Sequence, residues 1–212
     1  VKIVNVMAVS LDGRIATRPD EPDRERRALG FTNDDDRRHV EALLADADAV
    51  ITGAASLAAS GGAWVVNNRR TGKPPIWVVM TRRGLPASSR FWRQTELERW
   101  VVSPAVVPIP ADAGSVRALI YGDDQPASVV RAALEAAGAN ISLLFGGAEV
   151  NRQFYKEGQV DELSLTVCPL VVGTENAVPL VSPPLPSPVS LTLQGSHHCG
   201  NLVFLNYKVL NR

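Results

Sequence analysis

Apolar residues fall in short blocks along this chain, and the period of each block predicts its element. Ile3, Val4, Val6, Met7, Ala8 and Val9 form a near-continuous apolar run, as in a strand buried on both faces. Residues 18–30 are dense in charge and proline and predict an exposed loop. Thr32 or Asn33 then suits a helix N-cap, with Asp34, Asp35 and Asp36 in the first turn, where they favour the helix dipole. Val40, Leu43, Leu44 and Ala47 give that helix its apolar stripe. Short strands follow at residues 49–51, 76–80, 100–102 and 116–120, that at 76–80 buried. Asp124 and Pro126 open a second helix, which carries Val129, Val130, Ala133, Leu134 and Ala137 and stops at Gly138. Residues 141–145 read as a strand that runs into Gly146-Gly147 and a helix ended by Gly158. Leu163, Leu165 and Val167 alternate with Ser164 and Thr166. Two closing strands, about 189–193 and 202–209, pair across a turn at 195–200 that takes in His197-His198-Cys199.

Strands alternate with helices to residue 157 and then stand alone. That order predicts one α/β domain over residues 1–212: a mostly parallel sheet, helices on both faces and an antiparallel C-terminal edge. A chain of 212 residues buries roughly 70% of its unfolded surface and needs no disulfide or metal staple. Lys plus Arg equals Asp plus Glu, 22 each, which argues against a nucleic-acid binder. No run of eighteen apolar residues predicts a membrane span. The strand-like start lacks the pattern of a signal peptide. Cys168 and Cys199 have no metal-ligand spacing and suit packing in a reducing compartment, and no metal site is expected. Together these features predict a cytoplasmic protein.

Three stretches sit just past buried strands, the edge where open α/β sheets bind ligands. In Phe145-Gly146-Gly147-Ala148-Glu149, glycines admit a ligand to the backbone and the helix beyond offers free N–H groups to a diphosphate. Gly53-Ala54-Ala55-Ser56 repeats the arrangement. Each is equally compatible with a tight strand-to-helix turn. Thr81-Arg82-Arg83 would suit a 2′-phosphate, or simply solvated arginines. Asp12, in Ser10-Leu11-Asp12-Gly13, either braces its turn or faces a substrate.

These segments together resemble the pyrimidine reductases of riboflavin synthesis, over nearly the whole chain. Residues 7–16 are similar to that family's "A-x-S-L-D-G-K/R-I-A", and residues 47–56 to its "x-D-A-I-L-V-G-x-x-T". Residues 145–148 resemble "E-G-G-P/G", and residues 158–173 resemble "G-L-V-D-E-L … P-x-x-x-G". The resemblance implies a dihydrofolate-reductase-like α/β/α sandwich, a homodimer, NADPH as cofactor and hydride transfer to C1′ of a phosphoribosylamino-pyrimidine. It implies cofactor contacts at Gly53, Ser56, Thr81, Arg82, Gly146, Gly147, Ala148 and Glu149. It implies substrate contacts at Ser10, Asp12 and Asn33, and it leaves the proton donor unnamed.

Departures cluster on the substrate side. Leu44 and Asn67 stand where the family has arginines that hold a phosphorylated sugar, and Phe145 replaces a Glu. Arg69 or Arg70 would compensate only by reaching the pocket. A same-fold reductase of another carbonyl, imine or pterin-like substrate, or a non-catalytic nucleotide binder, therefore stands beside the riboflavin reading.

Overall fold

The apolar runs become the centre of a single sheet in the computed structural model, which describes residues 1–210. In chain order the elements are β1 (Lys2–Val9), β2 (Arg14–Ala16), α1 (Asp23–Leu29), α2 (Asp34–Leu44), β3 (Ala49–Gly53), α3 (Ala54–Ala59) and β4 (Ile76–Met80). A 3-10 turn (Arg90–Arg93), β5 (Arg99–Ser103), β6 (Arg117–Ile120), α4 (Pro126–Ala136), β7 (Ile141–Gly146) and α5 (Ala148–Lys156) follow. The chain closes with β8 (Glu162–Val167), β9 (Val178–Pro179), β10 (Ser190–Cys199) and β11 (Leu202–Leu210). Nine strands pair in the order β10-β11-β8-β1-β7-β3-β4-β5-β6. Neighbours from β8 to β6 run parallel, and β11 and β10 add an antiparallel edge. Leu44 of α2 and Leu57 of α3 pack on one face with Val50, Trp77, Val101 and Leu143. Val130 and Leu134 of α4 and Phe154 of α5 pack on the other, giving the three-layer α/β architecture.

Local differences from the expected elements have physical causes. Residues 23–29 form a helix, α1, that buries none of its side chains, so it carries no apolar stripe. Asn33, not Thr32, caps α2: its Oδ1 accepts from the N–H groups of Asp35 (2.8 Å) and Asp36 (3.0 Å). Asp124 does not cap α4; the N–H of Ser128 donates instead to Glu157 at 2.8 Å. His197 and His198 lie within β10, not in a turn, and the His197 ring stacks on Phe204 with centroids 4.7 Å apart. Cys199 is exposed and only Cys168 packs inside.

The amino-terminal rim of the sheet is tied by Asp48. Its Oδ2 accepts from the N–H groups of Asn140 (2.8 Å) and Ile141 (3.2 Å), and Arg70 reaches Oδ1 at 2.5 Å. Arg69 pairs with Asp46 at 2.9 Å beside it. Burial alone would raise the pKa of Asp48, but the two N–H groups and Arg70 outweigh it and hold the carboxyl below its ordinary range. A depressed carboxylate stabilises the fold above its unfolded pKa, and that contribution is lost as the pH falls through the folded value. Asp48→Ala is therefore expected to cost about 1–3 kcal/mol at pH 7 in urea unfolding. The gap should narrow as the pH drops below 3.8; a gap that stays constant would remove the carboxylate from this account.

Candidate active site

The central turn of the molecule is built from buried amides. Asn5 of β1 and Asn151 of α5 are both fully buried. The Asn5 Nδ2 donates to the Leu144 carbonyl (2.8 Å) and to the Asn151 Oδ1 (3.1 Å). Asn151 Nδ2 donates to the Leu180 carbonyl at 2.8 Å, and the Tyr155 hydroxyl donates to the Asn5 Oδ1 at 3.2 Å. Gly146 has a positive φ, and a Cβ there would lie 2.1 Å from the Asn151 Oδ1. Gly147, also at positive φ, lies so close to α3 that its Cβ would meet the Ser56 Oγ at 2.7 Å. No side chain caps α3 or α5, so the starts of both helices converge here with their N–H groups uncapped.

A cleft of about 1230 Å³ opens beside this turn. Strand residues Val6, Ala8, Thr52, Phe145 and Thr166 line it, with Ser56 and Ser60 from α3 and Gly147, Ala148 and Glu149 from the α5 start. Asn33, Asp36, Arg37, Val40 and Glu41 border it from α2, and residues of the charged segment 18–27 roof it. That roof is held by charge: Arg18 pairs with Glu21 (3.2 Å) and Glu25 (2.5 Å), Arg26 with Asp23 (3.0 Å) and Arg27 with Asp34 (2.8 Å).

Asp36 is the one ionisable group on the α2 wall that is buried, at 5% exposure. Burial raises its pKa above the ordinary carboxylate value, and this outweighs the opposing effects of the Thr166 hydroxyl donating to it and of Arg26 nearby. Behind it, the Cys168 thiol donates to the Phe31 carbonyl at 2.6 Å. Burial, with Asp36 adding to it, pushes that thiol up to about 12, so it stays protonated. In the sequence Asp36 is hidden among three consecutive aspartates. Its signal is register: Asp36, Val40 and Leu44 share one helix face at four-residue spacing.

The residues expected at the site separate into groups. Asn33, Ser56, Gly147, Ala148 and Glu149 line the cleft. Gly53 and Gly146 lie directly beneath it, where a Cβ on Gly53 would approach the Gly146 carbonyl to 3.3 Å. Thr81 closes a turn through the Gly84 carbonyl (2.9 Å), and Arg82 pairs with Glu149 at 3.1 Å. Ser10 and Asp12 are not part of the cleft wall. The Ser10 hydroxyl (2.6 Å) and the Val172 N–H (2.9 Å) both donate to the Asp12 Oδ1, and the Gly173 N–H donates to its Oδ2 at 3.0 Å. These bonds, Ser10 first, keep Asp12 ionised well below the usual carboxylate range, so it braces a loop. Arg69 and Arg70 do not reach the cleft either: both are spent on Asp46 and Asp48 at the opposite rim. Leu44 is a fully buried core residue. Among the described residues no group of His, Cys, Asp and Glu could hold a metal ion. No helix is long and apolar enough to cross a membrane.

Comparison with solved structures returns the same architecture. RibD of Acinetobacter baumannii superposes with a TM-score of 0.78 at 22% identity, covering 99% of this chain and 58% of that one. This chain thus spans little more than half the length of that protein. A pyrimidine reductase-like protein of Corynebacterium diphtheriae matches with a TM-score of 0.80 at 20% identity, over 100% of this chain and 92% of the other. The riboflavin biosynthesis reductase of Saccharomyces cerevisiae matches with a TM-score of 0.71 at 16% identity, over 99% and 90%. A search of curated sequences returns no significant match. The family model described as the RibD C-terminal domain matches residues 1–205, and the chain belongs to that family.

Proposed function

We propose that this chain is an NADPH-dependent reductase of the riboflavin-pathway class, acting on a carbon–nitrogen or carbon–oxygen double bond of a heterocyclic substrate in the cleft. The observation that carries the reading is the pairing of two features in one cleft. At one end two uncapped helix starts meet at Gly147 and Ser56; on the α2 wall stands a buried carboxylic acid. The first suits a dinucleotide diphosphate, with free N–H groups and close backbone approach. When bound, a nicotinamide cofactor supplies a hydride, which is both electrons and one hydrogen of the reduction.

The remaining proton is the chain's to supply. Asp36, its acid form favoured by burial, donates to the substrate heteroatom, and the Thr166 hydroxyl then hydrogen-bonds the carboxylate left behind. In the pathway reaction the hydride-accepting carbon is C1′ of the ribosylamino group. A second reading, a same-fold reductase of a different carbonyl, imine or pterin-like substrate, is favoured by Arg69 and Arg70 lying at the opposite rim. Mixing the protein with NADPH and the phosphoribosylamino-pyrimidine and following nicotinamide absorbance tests the first. Cofactor binding without turnover points to the second, and no turnover of any such heterocycle points to a non-catalytic nucleotide binder.

The reading includes a cytoplasmic homodimer. Its support is an exposed apolar strip on the edge ribbon, where Leu191 and Leu193 of β10 share a face with Val203 of β11.

NADPH should bind at least tenfold more tightly than NADH, about 1.4 kcal/mol. A 2′-phosphate would displace Glu149 from the exposed Arg82, and such a surface ion pair costs little to break. Arg82→Ala should shrink the difference; equal titration curves for the two cofactors in the wild type would remove the role. Gly147→Val should abolish NADPH binding in a protein that still unfolds cooperatively, because its side chain would occupy the gap to Ser56. Normal cofactor affinity in a folded variant would sink that assignment.

Asp36→Asn separates chemistry from stability. A carboxyl whose folded pKa is raised destabilises the fold wherever it is ionised, so the cost is present at high pH and vanishes below the unfolded pKa. The variant should melt above wild type at pH 8, with the gain gone below 3.8. Its kcat should fall at least tenfold, and the decline in wild-type kcat as pH rises through the Asp36 pKa should disappear. Wild-type kcat in the variant would remove Asp36 as proton donor.

A further inference from the structure

One side of the cleft carries a set of large apolar side chains. Val40 of α2, Trp64, Val65 and Val66 of the segment after α3, Trp77 of β4 and Phe145 of β7 all line it. All but the exposed Val65 belong to one cluster: Trp77 lies in a core cluster with Leu44 and Ala63, and Val40, Trp64, Val66 and Phe145 pack against that cluster. Trp77 and Phe145 meet edge to face, with centroids 6.3 Å apart. The segment is held in place by Gln94, whose side chain accepts from the Ala63 N–H and donates to the Ala63 carbonyl, both at 2.9 Å. The wall is therefore a fixed part of the fold.

Most charge on this side is already committed. The Arg37 guanidinium pairs with Glu41 at 2.8 Å and lies over the Trp64 ring at 6.0 Å. Leu44, the next turn of the same helix face, is buried and apolar. Of the other arginines bordering the cleft, Arg18, Arg26 and Arg27 are paired with carboxylates of the roof and α2. Only Arg24 and Arg90, both exposed, line the cleft without an acidic partner among the described residues. A phosphate carries close to two negative charges, and an apolar wall cannot replace the water it would lose. An apolar substituent gains from burial in proportion to its area.

We propose that this wall is a subsite for an uncharged aromatic or aliphatic substituent of the substrate, so that the cleft takes a heterocycle with an apolar arm in preference to a phosphorylated sugar, the second of the two readings above. The proposal rests on the reductase reading for what happens at the other end of the ring, but the subsite itself is tested by binding.

Three probes titrated calorimetrically into the protein, alone and with NADP+, compare the arm directly. They are 5-amino-6-(5-phosphoribosylamino)uracil, its dephosphorylated form and 5-amino-6-(benzylamino)uracil. The benzyl compound should bind at least tenfold more tightly than the phosphorylated one. Val65 is 48% exposed, so Val65→Arg adds a cation to the wall without disturbing packed core. That variant should weaken the benzyl compound about tenfold and strengthen the phosphorylated one. Tighter binding of the phosphorylated probe, abolished by Arg24→Ala or Arg90→Ala, would overturn the proposal. So would equal or absent binding of all three, or a benzyl affinity unchanged in Val65→Arg. If NADP+ fails to bind while the ranking holds, the reductase reading falls and the subsite stands.

Discussion

Two buried asparagines hold the site and the core together. Asn5 sits in the middle of β1 and Asn151 one turn into α5, and their amides satisfy each other and two backbone carbonyls, of Leu144 and Leu180. In a dry interior an unpaired amide costs about 1–3 kcal/mol, so the set tolerates no partial loss. It dictates what surrounds it. Gly146 can carry no side chain because Asn151 occupies the space, and β7 shifts register against β3 between Ile51 and Thr52 as it enters the turn. The Gly146-Gly147 turn is thereby aimed at α3, and the cleft opens where the two helices begin.

The cleft wall holds polar groups with few partners. Most buried polar groups elsewhere are matched, as the Arg99 Nη1 and Nη2 are by the carbonyls of Phe91, Trp92, Ala113 and Ser115. Asp36 receives one hydroxyl and little else, and its charged form is disfavoured there. The Trp77 Nε1 is likewise buried without an acceptor among the described residues. Such unmet polar groups weaken a fold and are retained where chemistry or a ligand uses them.

Most of the sheet was legible because its strands are buried on both faces and written as unbroken apolar runs: β1, β3, β4 and β7 lie close to where the pattern places them. Elements without such burial were legible only in part. α1 has no apolar face and reads as a loop, and β10, exposed along almost its whole length, is read only in its first half because Gly195 and Gly200 give its end the composition of a turn. The glycine-bearing ligand edge could be located from strand-then-glycine-then-helix order alone. The roles of individual charges could not. Asp12, Arg69 and Arg70 each find partners close in space but set by the fold, and a string of aspartates conceals the one that helix register turns inward.

The roof over the cleft has a different kind of stability from its floor. α1 contributes no buried side chain; besides its ion pairs it is attached by Arg26, which donates to the Ile15 carbonyl at 2.9 Å and lies over the Phe31 ring at 5.5 Å. A helix that buries none of its own side chains has little apolar surface of its own to expose on detaching, so it is expected to open locally at a free energy below that of the whole domain. Most of its ion pairs join partly exposed groups, with Glu21 the buried exception, and dissolved salt screens such pairs more than it affects the sheet. Opening of the cleft is then expected to respond to ionic strength more than to the packing of the sheet.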